Sequence, residues 1–366
     1  MNWQKVRFGD AIENFDRKRI PLSTTQRESR RGIYPYYGAN GVIDYVDDYI
    51  FDGDYLLLAE DGNTVVNSDG YPTVHRADGK FWVNNHAHVF KSAEGIDQRF
   101  LFYVLKKTNF RSVVTGAAQP KINQENMNGV MLSVPELPIQ SKIADVLGAY
   151  DELIENNRKR IALQEKMARE LYRERFVRRA VEGVETFSLE KIAKFVRGKV
   201  IVKDATKPGK VPVVAGGLEP AYYHDAANTD APVVTVSGSG ANAGFARMYF
   251  EKVWASDCSW VDATTTKYIR FVYCFLKDKD AELRNAQKGA AQPHVHAKDV
   301  NALVVTADEE RIAAFENIVT PLFDELANLT FQNRNLARQR DRLLPRLMSG
   351  KIDLDKLVKG EEVENG

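Results

Sequence analysis

The chain has 366 residues, with 51 Lys and Arg against 50 Asp and Glu and a net charge of +1, so it is too long for one small module and is no polyelectrolyte tail. A 44% hydrophobic content is enough for sizeable cores, yet no run of 18 apolar residues occurs and the N-terminus is charged every few positions, which speaks against a membrane span and a secretory leader. Cys258 and Cys274 make neither a disulfide framework nor a thiolate metal site and suit a reducing cytoplasm, the compartment expected. Near-neutrality does not exclude nucleic acid, because basic side chains can be gathered on one face.

In chain order, the basic run Arg17-Lys18-Arg19 and the pair Arg30-Arg31 flank the polar turn STTQRES. The runs YPYYGANG, YLLLA and FWVNNHAHVF follow, short and bounded by Gly, Asp or Asn, and they read as strands in tight-turned sheets. Gln98 to Lys107 is apolar on one face and reads as a helix, shortly before the pentad Gly-Ala-Ala-Gln-Pro at 116–120. Pro138 suits the first turn of a long helix over 140–180. Its apolar stripe holds Ile143, Leu147, Tyr150, Ile154, Asn157, Ile161, Gln164, Ala168 and Leu171.

After 183 the order of elements recurs. Lys199, Lys203, Lys207 and Lys210 occupy an early basic stretch, and VPVVAGG, APVVTVSG and YFEKVWA read as strands. Thr266 to Lys277 is the second short helix, and Gly-Ala-Ala-Gln-Pro returns at 289–293. A second long helix is expected over 309–349, with Thr306 and Glu309 as a capping box, a kink or restart at Pro321 capped by Thr320, and Gly350 as its end. Its stripe holds Phe315, Val319, Leu322, Leu326, Leu329, Asn333, Leu336, Arg340, Leu343 and Leu347. The two stripes can satisfy each other, most simply as an antiparallel pair; the polar stripe residues either sit on wet margins or set register from inside.

The pentads lie 173 residues apart, and the apolar positions behind them keep their spacing, from Ile122 and Val130 in one copy to Val295 and Leu303 in the other. Tyr34 to Gly41 resembles Val211 to Gly217, and Leu56 to Gly62 resembles Val234 to Gly240. Each half is therefore the same compound unit, a mixed globular domain followed by a helix.

The doubled pentad, the stretch Leu132 to Ala144 (LSVPELPIQSKIA) and Leu343 to Ile352 (LLPRLMSGKI) resemble the specificity subunit of type I restriction-modification enzymes over essentially the whole chain. The second half departs where Leu137-Pro138-Ile139-Gln140 is met by Ala307-Asp308-Glu309-Glu310, which weakens one helix start. The resemblance implies an α+β protein with two target recognition domains in a pseudo-two-fold arrangement, joined by two long antiparallel coiled-coil helices. On this sequence the domains fall at 1–139 and 183–305, the helical parts at 140–182 and 306–350, and a tail at 351–366. It further implies a non-catalytic subunit that reads a bipartite sequence in double-stranded DNA, with two methyltransferase subunits and, for restriction, motor-nuclease subunits as partners. A coiled-coil scaffold that recruits proteins without reading bases is the alternative.

Under the resemblance, loop residues become DNA candidates, since lysines meet phosphates while Arg, Asn and Gln can pair with base edges. Arg17, Lys18 and Arg19 are either contacts or a solvated surface run; Arg30 and Arg31 lie beside Tyr36. Asn40 sits in a glycine turn that either faces DNA or merely connects strands, and Asn84 and Asn85 complete the first-half set. The second-half set is Lys199, Lys203, Lys207, Asn242, Thr265 and Lys267. Lys121 and His294 follow the two pentads, whose glutamines, Gln119 and Gln292, carry amides; a task common to both halves favours structure with phosphate contact over base reading. Residues 237–244 (SGSGANAG) have the wrong spacing for a dinucleotide loop, with a strand rather than a helix behind them. His86-x-His88 and His294-x-His296 lack a third metal ligand. Phosphate-loop, nucleophile-elbow and adenine-methyltransferase motifs are absent, so no catalytic residue, cofactor or metal is expected.

Overall fold

The computed structural model describes residues 3–116, 119–179, 183–285, 293–350 and 352. The chain divides into two compact units, Met1–Ile154 with Asn335–Gly366, and Glu155–Arg334. Among the described residues no helix is long and apolar enough to cross a membrane. The expected tail at 351–366, apart from Ile352, lies outside the described residues, as do Gln292 and residues 180–182.

The first unit runs β1 (Trp3–Arg7), β2 (Ile12–Asn14), α1 (Thr24–Ser29), β3 (Arg31–Gly38), β4 (Gly41–Val46), β5 (Phe51–Asp52), β6 (Tyr55–Ala59), β7 (Val74–Ala77), β8 (Lys80–Val83), β9 (Ala87–Ser92), α2 (Gln98–Leu105), α3 (Gln124–Asn128), β10 (Met131–Pro135) and the start of α4 (Leu137–Tyr172). Strands order as β2-β9-β6-β7, β4-β3-β8-β5 and β1-β10. YLLLA of β6 is buried at all five positions, as a strand covered on both faces must be. The core joins Phe8, Phe90 and Phe110, packed edge to face at 5.2 and 6.0 Å, to α2. Ile143 and Leu147 of α4 close it together with Leu344 and Leu347.

The second unit repeats this plan with β11 (Thr186–Ser188), β12 (Val196–Arg197), β13 (Val211–Val214), β14 (Tyr222–His224), β15 (Val233–Ser237), β16 (Ala246–Tyr249), β17 (Trp254–Ala255), β18 (Cys258–Asp262), α5 (Ile269–Asp278), α6 (Asp280–Asn285), α7 (Ala297–Asn301), β19 (Val304–Thr306) and α8 (Glu309–Met348). The sheets are β12-β18-β15-β16, β14-β13-β17 and β11-β19. The correspondence holds to the single bond. Gly62 donates its N–H to the Pro120 carbonyl and Ile122 to that of Glu60, just as Gly240 donates to Pro293 and Val295 to Gly238. Gly62 and Gly240 both have positive φ, 103° and 74°, which is why this turn carries glycine in each copy. The repeat inferred from the pentads is thus present in the backbone, and the pentad's proline end fastens α3 or α7 to the end of the central strand.

The long helices differ in detail from expectation. α4 begins at Leu137 and gives way to a π-helical turn over Arg173–Arg178. α8 runs unbroken through Pro321, so the expected restart does not occur; Val319, Phe323 and Leu326 are buried on one face and hold the helix across the proline. The Thr320 hydroxyl donates to the Glu316 carbonyl at 2.7 Å inside the helix instead of capping it. The cap at its start is also corrected: Thr306 ends β19, and Asp308 accepts the Arg311 N–H at 2.7 Å. Inside the second unit Tyr172 packs on Phe315, and buried Asn157 donates to Asn333 at 3.0 Å. Numbers therefore rise along α4 as they fall along α8.

Candidate nucleic-acid interface

In the first unit the loops after β2 and β6 and the turn before β9 leave the same end of one sheet, because β9 runs antiparallel to both neighbours. Asp16, Arg19, Glu60, His88 and Lys121 meet there. The Arg19 guanidinium donates to Glu60 at 2.6 Å, to the Ala87 carbonyl at 2.8 Å and to the Asp16 carbonyl at 3.0 Å. Buried His88 places Nδ1 2.6 Å from the Asp16 carboxylate and Nε2 2.8 Å from the Ile122 carbonyl. Lys121 Nζ lies 2.9 Å from the other Glu60 oxygen. Burial alone would raise the Asp16 carboxyl, but bonding to His88 and the Arg19 charge hold it below the usual carboxylate range. Glu60 is likewise lowered against its burial, by Arg19 and Lys121. Outside this knot Arg17, Lys18, Asn40 and Asn85 are exposed. Thr64 donates its hydroxyl to Asn40, and Asp61 faces His86 at 2.8 Å.

The same end of the second unit's sheet carries different chemistry. Arg197, Ser239, Asp257, Ser259, His294, His296 and Lys298 line a cleft of about 640 Å³. The Ser239 hydroxyl donates to Asp257, and the His294 and His296 rings lie parallel with centroids 6.0 Å apart. Lys199, Lys203 and Lys207 are exposed on the adjoining loop, while Asn242 turns its amide to the Gly216 carbonyl at 3.3 Å. Among the described residues no three His, Cys, Asp or Glu side chains converge as metal ligands.

Four expected contact residues bond within the fold. Arg19 is committed to the knot above. Tyr36 is fully buried and its hydroxyl accepts the Leu22 N–H at 2.8 Å. Asn84 is buried, accepting the His86 N–H at 2.8 Å to shape the turn before β9. Thr265 donates to the Asp262 carbonyl at 2.8 Å in the turn after β18, at the opposite end of that strand from His294. Lys267, nearby, pairs with Glu309 at 3.1 Å. Arg30 is half-exposed and pairs with Asp47 at 3.0 Å and Asp48 at 3.7 Å, with its guanidinium 4.9 Å from the Trp82 ring; Arg31 is exposed.

Two tryptophans went unread in the sequence. Trp82 donates Nε1–H to the Ile20 carbonyl at 2.6 Å, and Trp254 donates to that of Lys199 at 2.8 Å. Each indole thus pins the basic loop of its own unit. The available signal was position: FWVN and VWAS each precede the turn into a buried strand.

Residues 1–165 match the family model described as the type I restriction modification DNA specificity domain. A putative type I restriction enzyme specificity subunit of Haemophilus influenzae is 34% identical over 145 residues, 39% of this chain and 36% of that protein. An Escherichia coli specificity subunit is 30% identical over 128 residues, 35% and 30% of the two chains. The match therefore spans about a third of the length of these two relatives. A type I restriction enzyme specificity subunit of Methanocaldococcus jannaschii is 23% identical over 308 residues, 72% of this chain and 71% of that protein. The fold is similar to that of a type I restriction-modification S subunit from M. genitalium, with TM-score 0.60 and 18% identity over 95% of this chain and 96% of that one.

Proposed function

We propose, from the premise that the chain belongs to the type I restriction-modification specificity family, that it reads double-stranded DNA for partner enzymes and carries out no chemistry itself. Each unit reads one half of an asymmetric bipartite target. Two methyltransferase subunits, and for restriction motor-nuclease subunits, act on the DNA that it selects. α4 and α8 serve as an antiparallel coiled coil that fixes the length of the unread spacer.

The observation that carries this reading is one backbone plan used twice with unlike exposed side chains on its loops and strand ends. Arg17, Lys18, Arg31 and Asn85 are offered by one copy and Lys199, Lys203 and Lys207 by the other. A shared frame with distinct polar surfaces suits two different half-sites, since base edges are distinguished by donor and acceptor pattern. Co-expression with the cognate methyltransferase, followed by mapping of methylated adenines, tests it. One bipartite, asymmetric motif with a constant spacer is expected; a continuous or palindromic motif contradicts it. The purified chain alone, given DNA, magnesium, ATP and methyl donor, is expected neither to cleave nor to methylate.

A further inference from the structure

The two sheet ends differ in how their charge is balanced. Matching backbone bonds set Glu60 against Gly238 and Lys121 against His294, and strand register sets His88 against Ser259. In the first unit the Glu60 carboxylate and the His88 ring fill this place, and the Glu60 and Asp16 carboxylates neutralise Arg19 and Lys121. In the second unit a glycine and a serine stand in their stead, and the space is the open cleft beneath Arg197, His294 and Lys298. The Arg197 and Lys298 side chains are exposed, and neither has a hydrogen-bond or ion-pair partner among the described residues. Asp257, the one carboxylate of the lining, already accepts the Ser239 hydroxyl.

The geometry points to a phosphate-binding site in this cleft, taking a backbone phosphodiester of the DNA bound by the second unit, with Arg197 and Lys298 supplying charge and His294 a ring N–H. The corresponding place in the first unit holds its own carboxylate and takes none. A monoanionic ester matches an excess of fixed cations that the protein does not itself neutralise. This inference rests on the DNA-reading function proposed above, and it makes the two halves unequal: one grips the backbone beside His294, the other does not at the corresponding Lys121.

The test uses the full chain with Arg197→Ala, Lys298→Ala and, as the first-unit control, Lys121→Ala. Affinity for a random-sequence duplex is measured across salt concentrations, and the histidine ring resonances are followed while inorganic phosphate is added. Each second-unit variant is expected to weaken duplex binding for all sequences alike and to reduce the slope of log affinity against log salt by about 1. Lys121→Ala is expected to leave that slope unchanged. Inorganic phosphate is expected to shift the His294 resonances in the parent chain and not in Arg197→Ala. Parent-like slopes in both second-unit variants overturn the inference, even if free phosphate shifts the ring. If the parent chain binds no duplex at all, the DNA reading is what fails, and the phosphate titration decides the cleft by itself: a shift supports the anion site and its absence overturns it.

Discussion

Arg19 and Arg17 stand two positions apart in one basic run and do different work. Removing the Arg19 guanidinium leaves Glu60 and Asp16 facing each other with one cation fewer, and breaking a buried pair in this way costs about 3 kcal/mol. Arg19→Ala should lower unfolding stability by that amount in urea titration, whereas exposed Arg17→Ala should change it by less than ~0.5 kcal/mol. The same knot sets a pH dependence. Asp16 and Glu60 are held below their ordinary values in the folded chain, so their contribution is present above the usual carboxylate range and is lost as pH falls below about 4. Stability measured from pH 7 to pH 3 should fall more steeply in the parent chain than in Glu60→Gln. Three adjacent basic residues look alike in sequence because what turns Arg19 inward comes from Glu60 and the Ala87 carbonyl, 41 and 68 positions away. Tyr36 is hidden for the same reason, its hydroxyl accepting the Leu22 N–H from another loop, whereas Asn84 bonds only locally, to the His86 N–H, and it is burial by the fold that local composition does not announce.

For whole elements the outcome depends on whether the signal is periodic. The stripes of α4 and α8 and the doubled order of strands were legible because burial repeats at fixed spacing. The cap and the proline were not: Asp308 and Thr306 are both capable caps, and the pairing of Thr306 with Thr186 decides between them. Pro321 would end an isolated helix, but the buried face on both sides of it outweighs one missing hydrogen bond. Three of the stripes' polar positions also resolve, since Asn157 is buried and bonded to Asn333, while Arg340 pairs with Asp151 in the first unit. Asn157→Leu should therefore lower the second unit's stability by about 1 kcal/mol, and Asn157→Leu with Asn333→Leu should regain most of it, read as thermal midpoints. As proposed spacers, α4 and α8 lengthened together by four residues, about 6 Å, should shift the preferred spacer by nearly two base pairs with both half-sites unchanged. Continued preference for the original spacer would count against a helical ruler.

At the level of the whole molecule the proposed function is modular. Arg31→Ala should alter base preference only in the half-site read by the first unit, by roughly 1 to 3 kcal/mol where a paired base contact is lost. Selection from a randomised duplex library with the assembled methyltransferase complex measures this directly. Equal changes in both halves would replace two independent readers with one joint site.

The first unit is also discontinuous: its core needs Ile143 and Leu147 from the early part of the chain and Leu344 and Leu347 from the late part, with the whole second unit encoded between them. During synthesis the early segment must wait, its α4 face unmatched, until Leu344 and Leu347 are translated, while the contiguous second unit can close as soon as residue 334 clears the ribosome. A nascent chain stalled at that point should protect amides of the second unit from hydrogen exchange and leave α4 residues 137–154 open. Ribosome stalling between the two segments and premature stop codons should therefore penalise the first unit, although its larger segment is translated before the second unit.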